Sequence, residues 1–513
     1  MPRRNHSAPA RPGPLTLPLA LLLLCFASPI NAQIAAIAPH RYLVLYRNAA
    51  IPSDAEAHTR SAGARLIQRN EHFGIVAVQS NSTDDDATLR QLAAQPNVEY
   101  VIHDQIVTAQ HLHLRLAPST FSVTIGSKSS TPPPPYDTFY ATPQSWAVQQ
   151  VGGYGHNVPG GPAHGPWDLT QGKGVRIAIL DSGVDATHPD IAPNLALNLS
   201  EVDPSSYPSP CDDGSPQDQE GHGTWTASLA AGAIGPGTGQ IIGVAPQATL
   251  LNIKVLERMP TASTTATLAS RCTSGQASGL LSWVLKGIDD AISNRADVIS
   301  LSVGALADLT TGDGAGLKAA FDRVTYAAAQ ANIVLVAAAG NDGMDLSNPR
   351  YMELPAQSRD VLAIVASTNP ACAENTSPDA VCTPGPVTLA FYSNHGIPDA
   401  LAAPGGSYPS GDDQAVSGWI RGACSSGKPS TIDGPPSDAA HSLGCFNLGH
   451  AAYVQAMGTS AAAPLAAGAA ALLRAAHPDW TAATIIATLR STAIPAPGLP
   501  VPQISAAAAL TQP

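Results

Sequence analysis

Three polar residues, each set among glycines or other small residues, could together carry out nucleophilic chemistry. The first, Ser460, lies in the small-residue run 457–464, ahead of an Ala- and Leu-rich stretch that predicts a helix. Backbone N–H groups and the positive end of a helix dipole point toward a place where an anion could develop. A serine at a helix start is more often only an N-cap, so this motif alone leaves both interpretations open.

Two upstream motifs supply the partners that a serine nucleophile needs. Asp181 follows the β-branched run 175–180, which predicts a buried strand whose carboxyl end delivers the carboxylate to a turn. His222 lies between Gly221 and Gly223 at the start of a predicted helix, where glycines admit a close neighbour. The plainer interpretations are an aspartate that caps a turn and a histidine that hydrogen-bonds locally.

The order Asp, His, Ser with these flanking residues resembles the subtilisin-like (subtilase) serine peptidases. The matching motifs are Asp181-Ser182-Gly183, Gly221-His222-Gly223-Thr224 and residues 458–464. A fourth segment, residues 333–342, resembles the family strand that ends at the oxyanion-hole asparagine, here Asn341. The resemblance covers residues 136–509 and implies an α/β fold, a doubly wound and mostly parallel sheet covered by helices.

The resemblance also implies a reaction, the hydrolysis of peptide bonds in proteins through an acyl-enzyme intermediate. Asp181 would orient His222, and His222 would take the proton of the Ser460 hydroxyl. The Asn341 side chain and the backbone N–H of Ser460 would stabilise the oxyanion. No cofactor is required for this chemistry.

Two strand segments are implied to bind the substrate. Residues 298–304 resemble the family strand that pairs with the substrate main chain, which adds a strand to an exposed edge. The residues implied to line the first specificity pocket are Ser302, Val303 and Gly304 on one side and Ala338, Ala339 and Gly340 on the other. Ala305 stands where the family often has a second glycine, which leaves the fine specificity open. Both segments are also typical of ordinary buried parallel strands.

The chain begins with a segment typical of a secretion signal. Residues 1–32 carry three arginines, then an apolar run too short to span a membrane, and end in Ile30-Asn31-Ala32. We therefore expect cleavage after Ala32 and a secreted protein, extracellular or periplasmic.

Residues 33–108 resemble the subtilisin propeptide, a small ferredoxin-like α+β domain that blocks the cleft and assists folding. Strands are predicted at 41–46, 74–78 and 97–104 and helices at 53–64 and 84–94, within a β-α-β-β-α-β order. A small ligand-binding domain of the same fold is the alternative. Residues 109–135, which are rich in Ser and Pro, predict an extended linker, and maturation cleavage is expected within it or just before it.

The remaining residues, 136–513, form the predicted peptidase domain. Strands are predicted near 175–180, 249–255, 298–303, 333–339 and 361–366, and helices at 278–294, 316–332 and 462–476. This alternation predicts a parallel sheet covered on both faces. Two insertions, residues 256–278 and 407–449, are rich in Ser, Thr, Gly and Pro and are predicted to be surface loops.

Seven cysteines are present, and six follow the predicted signal. An even number in a secreted chain indicates disulfides. Cys372 with Cys382 and Cys424 with Cys445 are near in sequence, which leaves Cys211 with Cys272. A metal site is the alternative, but no Cys-x-x-Cys spacing supports it.

The formal net charge of −12 argues against nucleic acid and anionic membranes as partners. The expected partners are polypeptide substrates and the chain's own propeptide, and we expect a monomer. The resemblance places Asp190 at a structural calcium site, but the loop 235–239 lacks side-chain ligands, so calcium there is disfavoured and no metal ligand is assigned.

Two other hypotheses are compatible with the sequence. The first is an inactive scaffold that binds peptides, although no triad member is missing. The second is a narrow processing or peptide-joining peptidase, which the insertions and Ala305 leave open.

Overall fold

The structure is a computed structural model that describes residues 36–109, 136–141, 145–156, 158, 164–205, 207–263, 265–373, 382–407, 418–428, 431–433, 445–447 and 450–511. The predicted signal lies outside these residues. So does the predicted linker, apart from its first residue, Ala109.

An amino-terminal segment, residues 36–109, has the predicted β-α-β-β-α-β order. Its elements are β1 (Ile37–Tyr46), α1 (Ala55–Ser61), β2 (Ala64–Asn70), β3 (Ile75–Ser80), α2 (Asp85–Ala93) and β4 (Val98–Ala109). The strands pair antiparallel in the order β4-β1-β3-β2. The sequence pattern assigned no residues to β2, because this edge strand, with the sequence ARLIQRN, shows no clear alternation of apolar and polar residues.

The rest of the chain alternates strands and helices. Its elements are α3 (Thr138–Ala141), α4 (Trp146–Val151), β5 (Arg176–Asp181), β6 (Leu195–Ser200), α5 (His222–Ala231), β7 (Thr249–Lys254), β8 (Glu257–Met259), α6 (Leu268–Thr273), β9 (Gln276–Leu280), α7 (Leu281–Ser293), β10 (Val298–Leu301), β11 (Val303–Asp308), α8 (Gly312–Gln330), β12 (Val334–Ala338), β13 (Tyr351–Leu354), β14 (Val361–Thr368), α9 (Pro370–Ala373), β15 (Thr388–Leu389), β16 (Leu401–Pro404), β17 (Ile420–Ala423), β18 (Thr431–Asp433), β19 (Cys445–Asn447), β20 (Ala452–Ala456), α10 (Thr459–Ala476), α11 (Ala482–Thr492) and α12 (Ala506–Leu510).

The central sheet is parallel in the order β14-β12-β10-β5-β7-β6, with β16 parallel beside β14 and only the short β15 antiparallel among its described strands. Side chains of β5 alternate between two cores. Ile177 and Ile179 pack on the side of α5 and α10, whereas Ala178 and Leu180 pack on the side of α7 and α8. This two-sided burial confirms the predicted α/β fold with helices on both faces.

A second sheet joins the amino-terminal segment to strands β9 and β11 of the rest of the chain. In this sheet β4 continues past β1 and inserts between β9 and β11, in the path β13-β11-β4-β1-β3-β2. Ile106, Val107 and Thr108 pair with β9 on one side. Thr108 pairs with Gly304, and Ala109 with Val303, on the other side.

Both predicted surface loops contain some regular structure. Residues 256–278 hold β8, α6 and the start of β9, and Glu257 and Arg258 are buried there. The described part of 407–449 holds β17, β18 and β19, which form a four-stranded sheet with β20. The strands were not predicted because strand pairing across the fold outweighs local composition. Residues 265–270 are exposed, as expected of a surface insertion.

Three disulfides are formed, Cys211–Cys272, Cys372–Cys382 and Cys424–Cys445, which confirms the predicted pairing. Within the described ranges, none of the helices combines the length and the apolar character needed to cross a membrane.

Candidate active site

Asp181 and His222 meet where β5 ends and α5 begins. The imidazole Nδ1 of His222 lies 2.7 Å from Asp181 Oδ1. Thr226, one helical turn after His222, donates its hydroxyl to Asp181 Oδ2 at 3.1 Å. The backbone N–H of Ser182 donates to Oδ1 at 2.7 Å. The buried carboxylate is thus fixed against Nδ1, which leaves Nε2 as the nitrogen that can accept a proton.

Glycines permit this close approach, as their positions in the sequence predict. A Cβ at Gly223 would lie 2.1 Å from the carbonyl oxygen of Gly183, and Gly221 has a φ of +104°. A side chain at the first position would collide with backbone, and one at the second would be strained. The ring of Trp225 packs edge-on against the His222 ring, with centroids 5.9 Å apart.

Negative charges around His222 favour its protonated form. Burial disfavours the charged imidazole, but Asp181, Glu220 and Asp218 outweigh that cost and raise the pKa of His222 above its ordinary value. The backbone N–H of His222 also donates to Glu220 Oε2 at 3.0 Å. The imidazole is therefore a stronger base than it would be in water.

Ser460 is the second residue of α10, and Gly458, not Ser460, occupies the N-cap position. Pro464 has no N–H with which to bond the Ser460 carbonyl four residues earlier. The hydroxyl of Ser302 instead donates to that carbonyl oxygen at 3.1 Å. Ser460 is thereby held against the residue that directly precedes β11.

Asn341 is anchored to the residue next to Ser460. Its Oδ1 accepts hydrogen bonds from the backbone N–H and from the hydroxyl of Thr459, each at 2.9 Å. Because Oδ1 is engaged, the side-chain nitrogen is the atom with which Asn341 can donate to an oxyanion. The sequence interpretation missed Thr459, although it lies within the serine motif.

The two predicted walls of the specificity pocket both contact the start of α10. Ser302 contacts Ser460, and Gly304 pairs with Thr108 of the inserted strand β4. On the other wall, Ala338 and Ala339 are fully buried, and the Gly340 N–H donates to the Thr459 hydroxyl.

Ala305, the departure from the family pattern, causes no break in the chain. It continues β11 and pairs with Leu354 of β13. The extra methyl group is therefore accommodated within a regular strand.

The geometry around Asp190 does not fit a calcium site. Its carboxylate accepts backbone N–H groups of Gly239, Gln240 and Ile241 at 2.6 to 3.2 Å. Burial raises its pKa to about 7 despite these bonds. The segment that faces this carboxylate thus presents amide hydrogens to it, and not the carbonyl or carboxylate oxygens that calcium prefers.

A different group of side chains, His156, His164 and Asp168, has its ligand-type atoms within 4.8 Å of one another. All three residues are exposed, and the Nδ1 atoms of His156 and His164 lie 2.5 and 3.5 Å from carboxylate oxygens of Asp168. We assign it no metal.

The sequence signature of the Subtilase family matches residues 172–509. The chain belongs to the subtilase family. Subtilisin E of Bacillus subtilis (strain 168) is 31% identical over 324 residues, which cover 63% of this subtilase and 61% of that relative. Thermitase of Thermoactinomyces vulgaris is 33% identical over 256 residues, covering 49% and 72% of the two chains. This subtilase thus spans about 61% of the length of subtilisin E.

Among solved structures, the epidermin leader peptide processing serine protease EpiP from Staphylococcus aureus is similar. It superposes with a TM-score of 0.62 at 18% identity, and the match covers 92% of this subtilase and 99% of that chain. At this identity the similarity concerns the fold.

Proposed function

We propose that this subtilase is a secreted serine endopeptidase made as a zymogen, which hydrolyses peptide bonds of proteins. The observation that carries the proposal is the 2.7 Å contact between Asp181 and His222, on a fold whose serine motif begins the neighbouring helix α10. Three disulfides support an oxidising, extracytoplasmic destination.

In the proposed reaction, His222 Nε2 takes the proton of the Ser460 hydroxyl as its oxygen attacks the scissile carbonyl carbon. Asp181 stabilises the imidazolium, while Asn341 and the Ser460 N–H stabilise the oxyanion. His222 then gives its proton to the leaving amine, and the acyl-enzyme forms. A water molecule, deprotonated by the same histidine, releases the acid and restores Ser460.

The amino-terminal segment, residues 36–109, is proposed to be the inhibitory propeptide. β4 occupies the space between β9 and β11 that a substrate main chain would use, and it ends at Ala109 opposite Val303. Ser302, the residue before Val303, contacts Ser460. Self-cleavage is therefore expected within the first few peptide bonds after Ala109.

The test is expression of the full chain beside its Ser460→Ala variant. We expect the wild-type protein to process itself to a form that begins between residues 110 and 116, to digest casein and to react with a fluorophosphonate probe. Ser460→Ala should stay full length and unlabelled. A wild-type chain that stays intact, leaves casein uncut and binds peptides only would support the inactive scaffold instead.

A further inference from the structure

One segment of the second insertion lies along the residues that surround the histidine of the proposed reaction. This β17 segment, residues 420–428, consists of β17 and the turn that follows it. The backbone N–H of Ala423 donates to the Ser228 hydroxyl oxygen at 3.0 Å. Cys424 Sγ lies 3.0 Å from the position that a Cβ on Gly221 would take. The β17 segment therefore contacts the N-cap of α5 and also a residue two turns further along that helix.

The turn after β17 holds the loop that leads into α5. The Ser425 hydroxyl donates to the backbone carbonyl oxygen of Asp218. Lys428 Nζ donates to the backbone carbonyl oxygen of Glu220 at 2.8 Å. The disulfide of the β17 segment ties the same turn to β19. The backbone on both sides of the histidine motif is thus held by one segment of the insertion.

The side chain of Trp225 lies between the β17 segment and the His222 ring. It is 2% exposed. A Cβ on Gly422 would lie 2.4 Å from Trp225 Cδ1 and 3.1 Å from Nε1, so this edge of the indole packs directly on the strand. The centroid of the Trp225 ring also lies 5.9 Å from that of the His222 ring. Since packed interiors transmit strain, a shift of β17 reaches the imidazole through this ring.

The indole N–H of Trp225 carries a cost that an ordinary core residue would avoid. Among the residues that the structure describes, it finds no hydrogen-bond acceptor. A buried donor without an acceptor lowers the stability of the folded chain, whereas phenylalanine has no such donor. Departures of this kind are concentrated where function requires them. The cost therefore supports a role for this ring beyond filling the core.

We propose that Trp225 is a positioning residue, which transmits the placement of the β17 segment to the His222 ring and keeps its Nε2 directed at Ser460. The second insertion then takes part in catalysis through this ring. The role rests on the proposed peptidase function, since it concerns how His222 acts on Ser460.

The test measures how fast a fluorophosphonate probe labels Ser460 in the matured protein. The labelled fraction reports how many molecules are folded, and the rate reports how well His222 activates the serine in those molecules. Trp225→Ala should lower that rate by about 10- to 100-fold. It should lower kcat to a similar extent with little change in KM, because the strands proposed to bind the substrate are unaltered. Trp225→Phe keeps an aromatic ring and should lose less.

Trp167→Ala is the matched control. Trp167 is a buried tryptophan of the same hydrophobic core, and its indole donates to the Val244 carbonyl oxygen at 2.8 Å, away from His222. Its removal should lower Tm and the labelled fraction, while the folded molecules keep the wild-type labelling rate.

Gly422→Ala tests the same contact from the side of the β17 segment. The added methyl group collides with the Trp225 ring and should slow labelling. In the Trp225→Ala background the ring is absent, so the same change should cause little further loss. If Trp225→Ala does not fold, the Trp225→Phe background serves instead, because its smaller ring leaves room for the methyl group and should reduce the loss.

Two outcomes overturn the proposal while leaving the peptidase function intact. One is a wild-type labelling rate in the folded molecules of both Trp225→Ala and Gly422→Ala. The other is a loss from Gly422→Ala that is equally large with and without the indole. A wild-type protein that neither reacts with the probe nor cleaves casein would instead contradict the peptidase function itself.

Discussion

The carboxylate of Asp104 accepts hydrogen bonds from both the backbone N–H and the hydroxyl of Ser282, at 3.0 and 2.7 Å. Ser282 is in the first turn of α7, where N–H groups have no partner within the helix. Arg41 donates to the same carboxylate at 3.2 Å, and both charged residues are buried. The proposed propeptide thus binds one helix of the peptidase domain through a carboxylate that satisfies the helix start.

Asp104→Ala should destabilise the association of the amino-terminal segment with the rest of the chain. Loss of one partner leaves the Arg41 charge buried, which typically costs about 3–5 kcal/mol. In the uncleavable Ser460→Ala background, we expect faster amide exchange in β4 and α7 and a lower Tm. Glu71→Gln, at an exposed ion pair with Arg69, is the control and should change neither quantity. Unchanged exchange in the Asp104→Ala protein would refute this account.

Glu220→Gln should move the acid limb of kcat/KM against pH to lower pH. His222 must be neutral to accept the serine proton, so activity falls as pH drops through its pKa. That pKa is raised, partly by the charge of Glu220, so the wild-type midpoint should lie above the ordinary histidine value. Removal of this charge should shift the midpoint down by about half a pH unit or more. The exposed Asp479→Asn should leave it in place, and a shift of Glu220→Gln to higher pH would contradict the assignment.

Asn341→Leu should lower kcat with little change in KM, because its amide is proposed to act on the oxyanion that forms only in the transition state. A loss of about 10²–10³-fold is expected, the magnitude established for subtilisin rather than one obtained from this geometry. Thr459→Val removes one of the two hydrogen bonds that orient Asn341, and should cost about tenfold. Thr459→Ser keeps the hydroxyl and should retain most activity. Equal activity of Thr459→Val and wild type would show that this anchor is unimportant.

The Cys424–Cys445 disulfide should support activity as well as stability. A Cβ on Gly221 would lie 3.0 Å from Cys424 Sγ, so this disulfide packs against the residue before His222. The double variant Cys424→Ser/Cys445→Ser should lose stability of about 3 kcal/mol and also lose turnover. Cys372→Ser/Cys382→Ser, which opens a shorter loop, should lower Tm with turnover at moderate temperature preserved. Equal turnover losses in both double variants would argue against a local effect on His222.

Local patterns in the sequence predicted the elements that carry Asp181, His222 and Ser460. The apolar run before Asp181 and the glycines beside His222 predicted the strand end and the close approach, because both depend on neighbouring residues. The helix start at Ser460 was predicted for the same reason, although α10 begins earlier than the expected residue 462.

Contacts between distant segments could not be predicted in this way. Thr459 forms a hydrogen bond with Asn341, which lies 118 positions away in the sequence, and no periodic pattern predicts such a contact. The edge strand β2 and the strands in the two insertions were missed for the same physical reason, since pairing partners decide them.

Removal of β4 would leave β9 and β11 facing each other across a gap one strand wide, each with unsatisfied main-chain groups. Only a fully stretched polypeptide can fill that gap, because a helix or a compact turn is too wide. In a folded substrate, the cleavage site would therefore depend first on where the substrate chain can unfold locally. Recognition of its side chains would come second. Folded substrates should be cleaved first in their most flexible loops. Rigid substrates should resist cleavage until heat or denaturant unfolds them locally.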